Sequence, residues 1–138
     1  MTEIPSDIRK FLYEHVETLE ELEVLLLLGR NPDKTFTKEE AEIELKIPFD
    51  AVASAFQTLR KTRLCDLIVG GADDAFQLTR KDPLARAHVA KLVALYDTSR
   101  FELLKLLSAA AMDRLSNSMT RAFADAFVLG GKKRGKDG

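Results

Sequence analysis

The chain has 138 residues, a net charge of −1, 46% hydrophobic residues and 31% charged residues. This length suits one domain, and the composition is too apolar for wholesale disorder, so a soluble globular protein is expected. The longest apolar run, residues 24–28, is too short to span a membrane and the first residues lack a secretory signal, which together predict a cytoplasmic protein.

Two helices are predicted at the amino-terminal end. Apolar residues at helical spacing across residues 8–16 mark the first helix, with Ser6 as its N-cap. Thr18 and Glu21 have the spacing of a capping box and start a second helix, which is apolar on nearly every side and is therefore expected to be central. Gly29, together with the asparagine and proline at positions 31 and 32, is predicted to end this helix.

Residues 37–79 carry the pattern helix, turn, helix, hairpin. A second capping box, Thr37 with Glu40, starts a short helix, and Pro48 marks the turn because proline cannot continue a helix. The next helix is predicted over residues 49–63, where apolar residues again recur at helical spacing.

The spacing of apolar residues then changes to that of strands. Residues 65–69 and 75–79 are predicted to form a hairpin whose turn contains Gly70 and Gly71, since glycine allows positive φ. A very short strand at residues 35–36 is expected to pair with this hairpin. The result is a small β-hairpin, or wing, behind two helices.

A long helix is predicted after the hairpin, with Asp82 as its cap and Pro83 at its first position. Its apolar residues follow alternating steps of three and four, the spacing of a coiled-coil seam. The seam consists of Val89, Leu92, Tyr96, Ser99, Leu103, Leu106 and Ala110. This seam is predicted to face a second copy of the chain. Whether the helix bends near residue 108 or 116 is left open.

The last helical stretch carries a further apolar stripe. Its members are Met112, Leu115, Met119, Ala122, Phe123, Ala126 and Phe127. Phe123 and Phe127 join Val89, Leu92, Tyr96, Leu103 and Leu106 as the predicted dimer interface. The helix is expected to end at Gly130 and Gly131, and residues 130–138 are expected to be a disordered basic tail.

This order of elements resembles small bacterial winged helix-turn-helix regulators of the MarR and PadR kind over residues 8–107. Residues 121–127 also resemble the closing segment of a group of short uncharacterised bacterial winged-helix proteins. The resemblance implies a mainly helical protein, with a winged helix-turn-helix domain at residues 1–81 and a helical dimerisation extension at residues 82–129. It also implies a homodimer. The apolar stripe would then be an effector pocket, a core surface or a subunit interface.

A DNA-binding regulator would present the second helix of the motif to double-stranded DNA. The predicted contacts are Ser54, Gln57, Thr58, Arg60, Lys61, Arg63, Arg80 and Lys81. Glutamine can pair with adenine, and arginine and lysine can bind phosphates. Against this stand Asp50 at the start of the helix and Asp73 and Asp74 in the wing turn, which would repel phosphates. The alternative is therefore a winged-helix module that binds another protein.

The remaining patterns do not favour an enzyme, a cofactor or a metal. His15 and His88 lie far apart in sequence without a metal-binding spacing, and the glycines at positions 70 and 71 do not form a phosphate loop. Cys65, the single cysteine, is interpreted as a small buried hydrophobe, with a redox-sensing thiol as the alternative. Residues 1–44 hold twelve acidic and five basic side chains, so the acidic charge is concentrated at the amino-terminal end.

Overall fold

The computed structural model describes residues 4–137, with side chains up to residue 122. Within them, five helices and three strands follow in the predicted order, which confirms a mainly helical winged-helix fold. No helix in this part of the chain is long and apolar enough to cross a membrane. The elements are α1 (Ser6–His15), α2 (Leu19–Arg30), β1 (Phe36–Thr37), α3 (Lys38–Leu45), α4 (Phe49–Lys61), β2 (Cys65–Ile68), β3 (Ala75–Leu78) and α5 (Pro83–Asp137).

The two predicted capping boxes are formed to different extents. At the start of α3, Thr37 Oγ1 accepts from the Glu40 N–H at 3.1 Å and the Thr37 N–H donates to Glu40 Oε1 at 2.8 Å. At the start of α2, Thr18 Oγ1 accepts from the Glu21 N–H at 3.1 Å, as predicted. The Glu21 carboxylate, however, accepts from the N–H of Glu17, at 2.9 Å. This N–H belongs to the residue before the cap, so only the Thr18 half of the capping box is formed. Both helices therefore begin where the sequence predicted.

Two residues that were predicted at helix ends hold other positions in the structure. The sequence predicts Ser6 as the N-cap of α1, whereas Pro5 holds that position and Ser6 is the first helical residue. Helix α2 ends where predicted, with Asn31 as its C-cap, but Gly29 lies inside its last turn. A Cβ on Gly29 would lie 2.4 Å from Val89 Cγ1 and 2.9 Å from Val93 Cγ2. The absent side chain allows α2 and α5 to approach each other closely.

The three strands form one antiparallel sheet in the order β1-β3-β2. The hairpin is confirmed, and its turn includes Gly70 with φ of +139°, a conformation that favours glycine. The short strand predicted before α3 is also present, shifted by one residue, and Phe36 pairs with Phe76 of the central strand. Because β2 lies at one side of this order, one of its edges has no neighbouring strand within residues 4–137.

One hydrophobic core joins all five helices and the sheet. Val89, Leu92 and Leu103 have no exposed surface, because α1 and α2 of the same chain pack against α5. The prediction that these three residues face a second copy is therefore wrong. The first part of α5 therefore shares its core with the winged-helix elements that precede it.

The second part of α5 first packs on the core through Leu103 and Leu107 and then extends beyond it. The helix changes direction at Ser99, whose φ of −138° and ψ of 40° are not helical, so the bend occurs before either of the two positions considered. Arg114 ties the later turns to the end of α1 through hydrogen bonds to the carbonyl oxygens of Leu12 and Tyr13. The backbone stays helical past Gly130 to Asp137, which is further than predicted.

The other four residues of the predicted dimer interface fall into two pairs. Tyr96 and Leu106 are half-buried and pack against the core of their own chain. The side chains of Phe123 and Phe127 lie outside the described residues. The backbone of residues 130–137 is helical, where the sequence analysis expected a disordered tail.

Candidate nucleic-acid interface

Helix α4 divides cleanly into a buried face and an exposed face. Its buried residues are Val52, Ala55, Phe56 and Leu59. On the opposite face, Ser54, Gln57 and Lys61 are exposed at steps of three and four residues, as the helical spacing predicts. Within the described part of the chain, none of these three side chains makes a hydrogen bond or an ion pair. This face is therefore available to a ligand.

The wing is fixed beside α4 by two stacked aromatic rings. The rings of Phe56 on α4 and Phe76 on β3 lie with their centroids 4.2 Å apart and their planes at 11°. Between the helix and the wing is an open groove of about 490 Å³. Its charged or amide-bearing lining residues are Lys38, Gln57, Arg60, Lys61 and Asp74. Three cations and one carboxylate give the groove a positive balance.

Lys38 is the functional candidate that the sequence analysis missed. It directly follows the Thr37 cap and is the first residue of α3, so it stands at the start of the helix that precedes α4. The capping box located this position in the sequence. What the sequence did not indicate is that the start of α3 lies next to the exposed face of α4 and the wing.

Helix α4 ends in a Schellman turn, which sets the direction of the chain into β2. The Leu64 N–H donates to the Leu59 carbonyl oxygen at 2.8 Å, and the Arg63 N–H donates to the Arg60 carbonyl oxygen at 3.0 Å. Arg63 is left-handed, with φ of 64°. Glycine is the usual residue at this position, because a side chain there is strained.

Replacing Arg63 with glycine is expected to stabilise the protein by about 0.5 kcal/mol. Relief of the left-handed strain exceeds the added flexibility of the unfolded chain. The midpoint of urea unfolding measures this change. Arg60→Gly is the matched control, since the same change inside α4 should cost about 1 kcal/mol. A loss of stability in Arg63→Gly would mean that the arginine side chain contributes packing that its exposure does not indicate.

Four predicted contacts lie together in a second cleft, at the base of the wing. This cleft of about 1110 Å³ follows β2 and is lined by Arg60, Arg63, Arg80 and Lys81. It also contains Asp66 and Asp82. Arg60 borders both clefts, whereas Gln57 and Lys61 border only the groove. Ser54 and the half-buried Thr58 line neither. Six of the eight predicted contacts therefore line the groove or the cleft, and Arg60 lines both.

Exposed acidic side chains reduce the positive charge of α4 and the wing at the positions that the sequence indicated. Asp50 is exposed in the first turn of α4, and Asp73 and Asp74 are exposed in the wing turn. Positive charge is thus concentrated toward the end of α4 and the base of the wing, and negative charge at the start of α4 and the wing tip. A polyanion would be attracted to the first region and repelled from the second.

The two histidines meet in space although they are far apart in sequence. Phe11 lies between them, with ring centroids 4.8 Å from His15 and 5.3 Å from His88. Burial lowers the pKa of His15, which favours its neutral form. In the described residues no three histidine, cysteine or carboxylate side chains are placed to hold a metal ion.

Cys65 matches the interpretation as a buried hydrophobe. The residue is 4% exposed, and burial raises the pKa of its thiol to about 12. A thiol with this pKa is almost entirely protonated at neutral pH and reacts slowly with oxidants, because the thiolate is the reactive form. The alternative of a redox-sensing thiol is not favoured by this environment.

The fold is similar to that of solved winged-helix proteins. No family model matches the sequence, and no curated protein matches it. Solved structures do match. Reduced HlyU from Vibrio cholerae has a TM-score of 0.53 and 19% identity, with 66% of this chain and 90% of that chain covered.

Two further regulators match over more of the chain. The adhesin competence repressor AdcR from Streptococcus pyogenes has a TM-score of 0.52 and 20% identity, covering 83% of this chain and 82% of that one. MepR, a transcription regulator of the multidrug efflux pump MepA in Staphylococcus aureus, has a TM-score of 0.53 and 16% identity, with 87% of each chain covered. A MepR mutant has been solved bound to an oligodeoxyribonucleotide. At these identities the likeness establishes the winged-helix fold.

Proposed function

We propose that the protein is a transcription regulator that binds double-stranded DNA as a homodimer. The observation that carries this proposal is the exposed face of α4, where Ser54, Gln57 and Lys61 have no hydrogen-bond or ion-pair partner among the described residues. Polar side chains held on a rigid helix without internal partners are suited to reading a groove. The oligodeoxyribonucleotide complex of a MepR mutant, a protein of similar fold, supports the proposal that this fold binds DNA here.

Each side chain of this face has a role that fits its chemistry. The Gln57 amide can pair with the N6 and N7 atoms of an adenine in the major groove. Ser54 can donate to a phosphate or a base edge. Lys38, Arg60 and Lys61 bring positive charge from two helices to the groove, where they would bind phosphates and fix the position of α4 on the duplex.

The acidic wing tip limits how the wing can take part. Asp73 and Asp74 would be repelled by the phosphates that border a minor groove. The proposal therefore assigns DNA recognition mainly to α4 and the groove beside it, and leaves the wing tip outside the minor groove. Because few cations take part, the affinity should depend on each of them.

The salt dependence of binding should reveal the contribution of Lys61. Selection from random duplexes would provide a ligand, and Lys61→Ala should reduce the slope of log K against log salt by about one unit, because one phosphate contact is lost. Lys105→Ala is the control, since this exposed lysine lies on α5 away from the groove. Failure to select any duplex, or equal slopes for Lys61→Ala and the unaltered protein, would contradict the proposal.

A homodimer would place two copies of α4 one helical turn of DNA apart, about 34 Å. The proposed contact is the apolar stripe on the second part of α5, where Met112, Leu115 and Met119 are 66%, 54% and 63% exposed. Their steps of three and four residues put them on one helix face. A stripe of this kind is unusual on a monomer and is typical of a surface that another helix covers. Phe123 and Phe127 would continue it in sequence.

A further inference from the structure

The free edge of β2 opens directly into the basic cleft at the base of the wing. Thr79 N–H donates to the Leu64 carbonyl oxygen at 2.9 Å, and the register pairs Asp66 with Gln77. In an antiparallel pair, hydrogen-bonded and non-hydrogen-bonded positions alternate. The backbone N–H and C=O groups of Cys65 and Leu67 therefore point away from β3, toward the cleft. Strand edges of this kind can pair with another chain.

The charge of this cleft is not balanced within the described residues. Asp66 Oδ2 accepts from the Arg80 N–H at 3.2 Å, and Asp82 Oδ1 accepts from the Ala85 N–H at 3.1 Å, so both carboxylates are engaged by backbone groups. In the same part of the chain, none of the cationic side chains makes a hydrogen bond or an ion pair. These side chains are those of Arg60, Arg63, Arg80 and Lys81.

We propose that this cleft binds an acidic peptide segment of a protein partner, in extended conformation, as a further antiparallel or parallel strand beside β2. The outward backbone groups of the half-buried Leu67 would form the strand pairing. Carboxylates of the peptide would pair with Arg63 and Arg80. The half-buried side chain of Leu67 offers apolar contact to alternate residues of the peptide.

The combination of strand edge and positive charge selects a peptide over DNA at this position. A nucleic acid could use the cations but has no backbone amide to pair with a strand edge, whereas an acidic peptide uses both features. The peptide would share Arg60 and Leu67 with the groove beside α4. The inference does not depend on DNA binding by α4.

Binding of synthetic peptides tests the pairing in the unaltered full-length protein. The probe is a short fluorescein-labelled peptide in which glutamate and valine alternate, and its control has the same sequence with alternate backbone amides N-methylated. Fluorescence anisotropy should show binding that is about tenfold weaker for the methylated peptide, because strand pairing needs the amide donors. Equal affinity for both peptides, or binding of neither, would overturn the proposal.

Substitutions locate the peptide on the surface. The double variant Arg63→Gln with Arg80→Gln should weaken peptide binding by about tenfold or more, and Lys61→Gln, which changes the groove alone, should leave it within about twofold. Amide exchange at Leu67 should slow when the peptide is bound. If Lys61→Gln weakens peptide binding as much as the double variant, the assignment is wrong. If the cleft substitutions abolish duplex binding and no peptide binds, the cleft is a DNA surface.

Discussion

Replacing Leu92 with aspartate is expected to unfold the protein and not to separate two copies of it. Leu92 has no exposed surface and lies in the core that α1, α2 and α5 share. Loss of the side chain and burial of a carboxylate without a partner should together cost at least about 4 kcal/mol, a large part of the stability of a domain. Circular dichroism and urea unfolding would measure the loss.

Leu115→Asp is the matched control for Leu92→Asp. Leu115 is 54% exposed on the second part of α5, so the same change there should leave the fold intact. If this stripe joins two copies, the variant should be monomeric by light scattering. A folded Leu92→Asp variant would show that the α5 packing described above is wrong. A dimeric Leu115→Asp variant would exclude the exposed stripe as the interface.

Phe56→Ala is the second change with a large expected effect. Phe56 is fully buried in α4 and stacks on Phe76 of the wing. Removal of the ring should cost roughly 3 to 5 kcal/mol through lost burial and the cavity left behind. The midpoint of urea unfolding reports the cost, and DNA binding should weaken further than stability alone explains, because the wing loses its fixed position beside α4.

Phe101→Ala provides the comparison for Phe56→Ala. Phe101 is 74% exposed on α5, so the same truncation should change the free energy of unfolding by no more than about 0.5 kcal/mol. Similar losses in the two variants would mean that the Phe56 ring does not hold the wing. If Phe56→Ala leaves the free energy of unfolding nearly unchanged, the assignment of α4 residues to a buried and an exposed face is wrong.

The parts of the fold that the sequence predicted depend on local signals. Thr37 with Glu40, Pro48 and Gly70 each act within a few residues, and each is found in the predicted role. The exposed positions on α4 followed from the same reasoning, because helical spacing assigns every residue to a face once the buried face is known. Gln57 and Lys61 are accordingly exposed.

The parts that the sequence did not predict depend on which elements meet. An apolar face on α5 indicates that something covers Val89 and Leu103 but not whether it is α2 or a second chain. Gly29 carries the same ambiguity, since glycine both ends helices and permits close contact between them. The grouping of Lys38 with α4, and of Arg63 with Arg80, is likewise a long-range result that no short pattern contains.

The close contact at Gly29 constrains which sequences can share this packing. A single methyl group there would collide with Val89, so the distance between α2 and α5 depends on the absence of a side chain at Gly29. A related chain that carries alanine at this position must carry a smaller residue opposite it. Otherwise α5 must lie further from α2, which would also shift the second part of α5 with Met112 and Leu115. In the proposed dimer, the geometry of the contact between two copies would then vary among relatives whose α4 surfaces are identical.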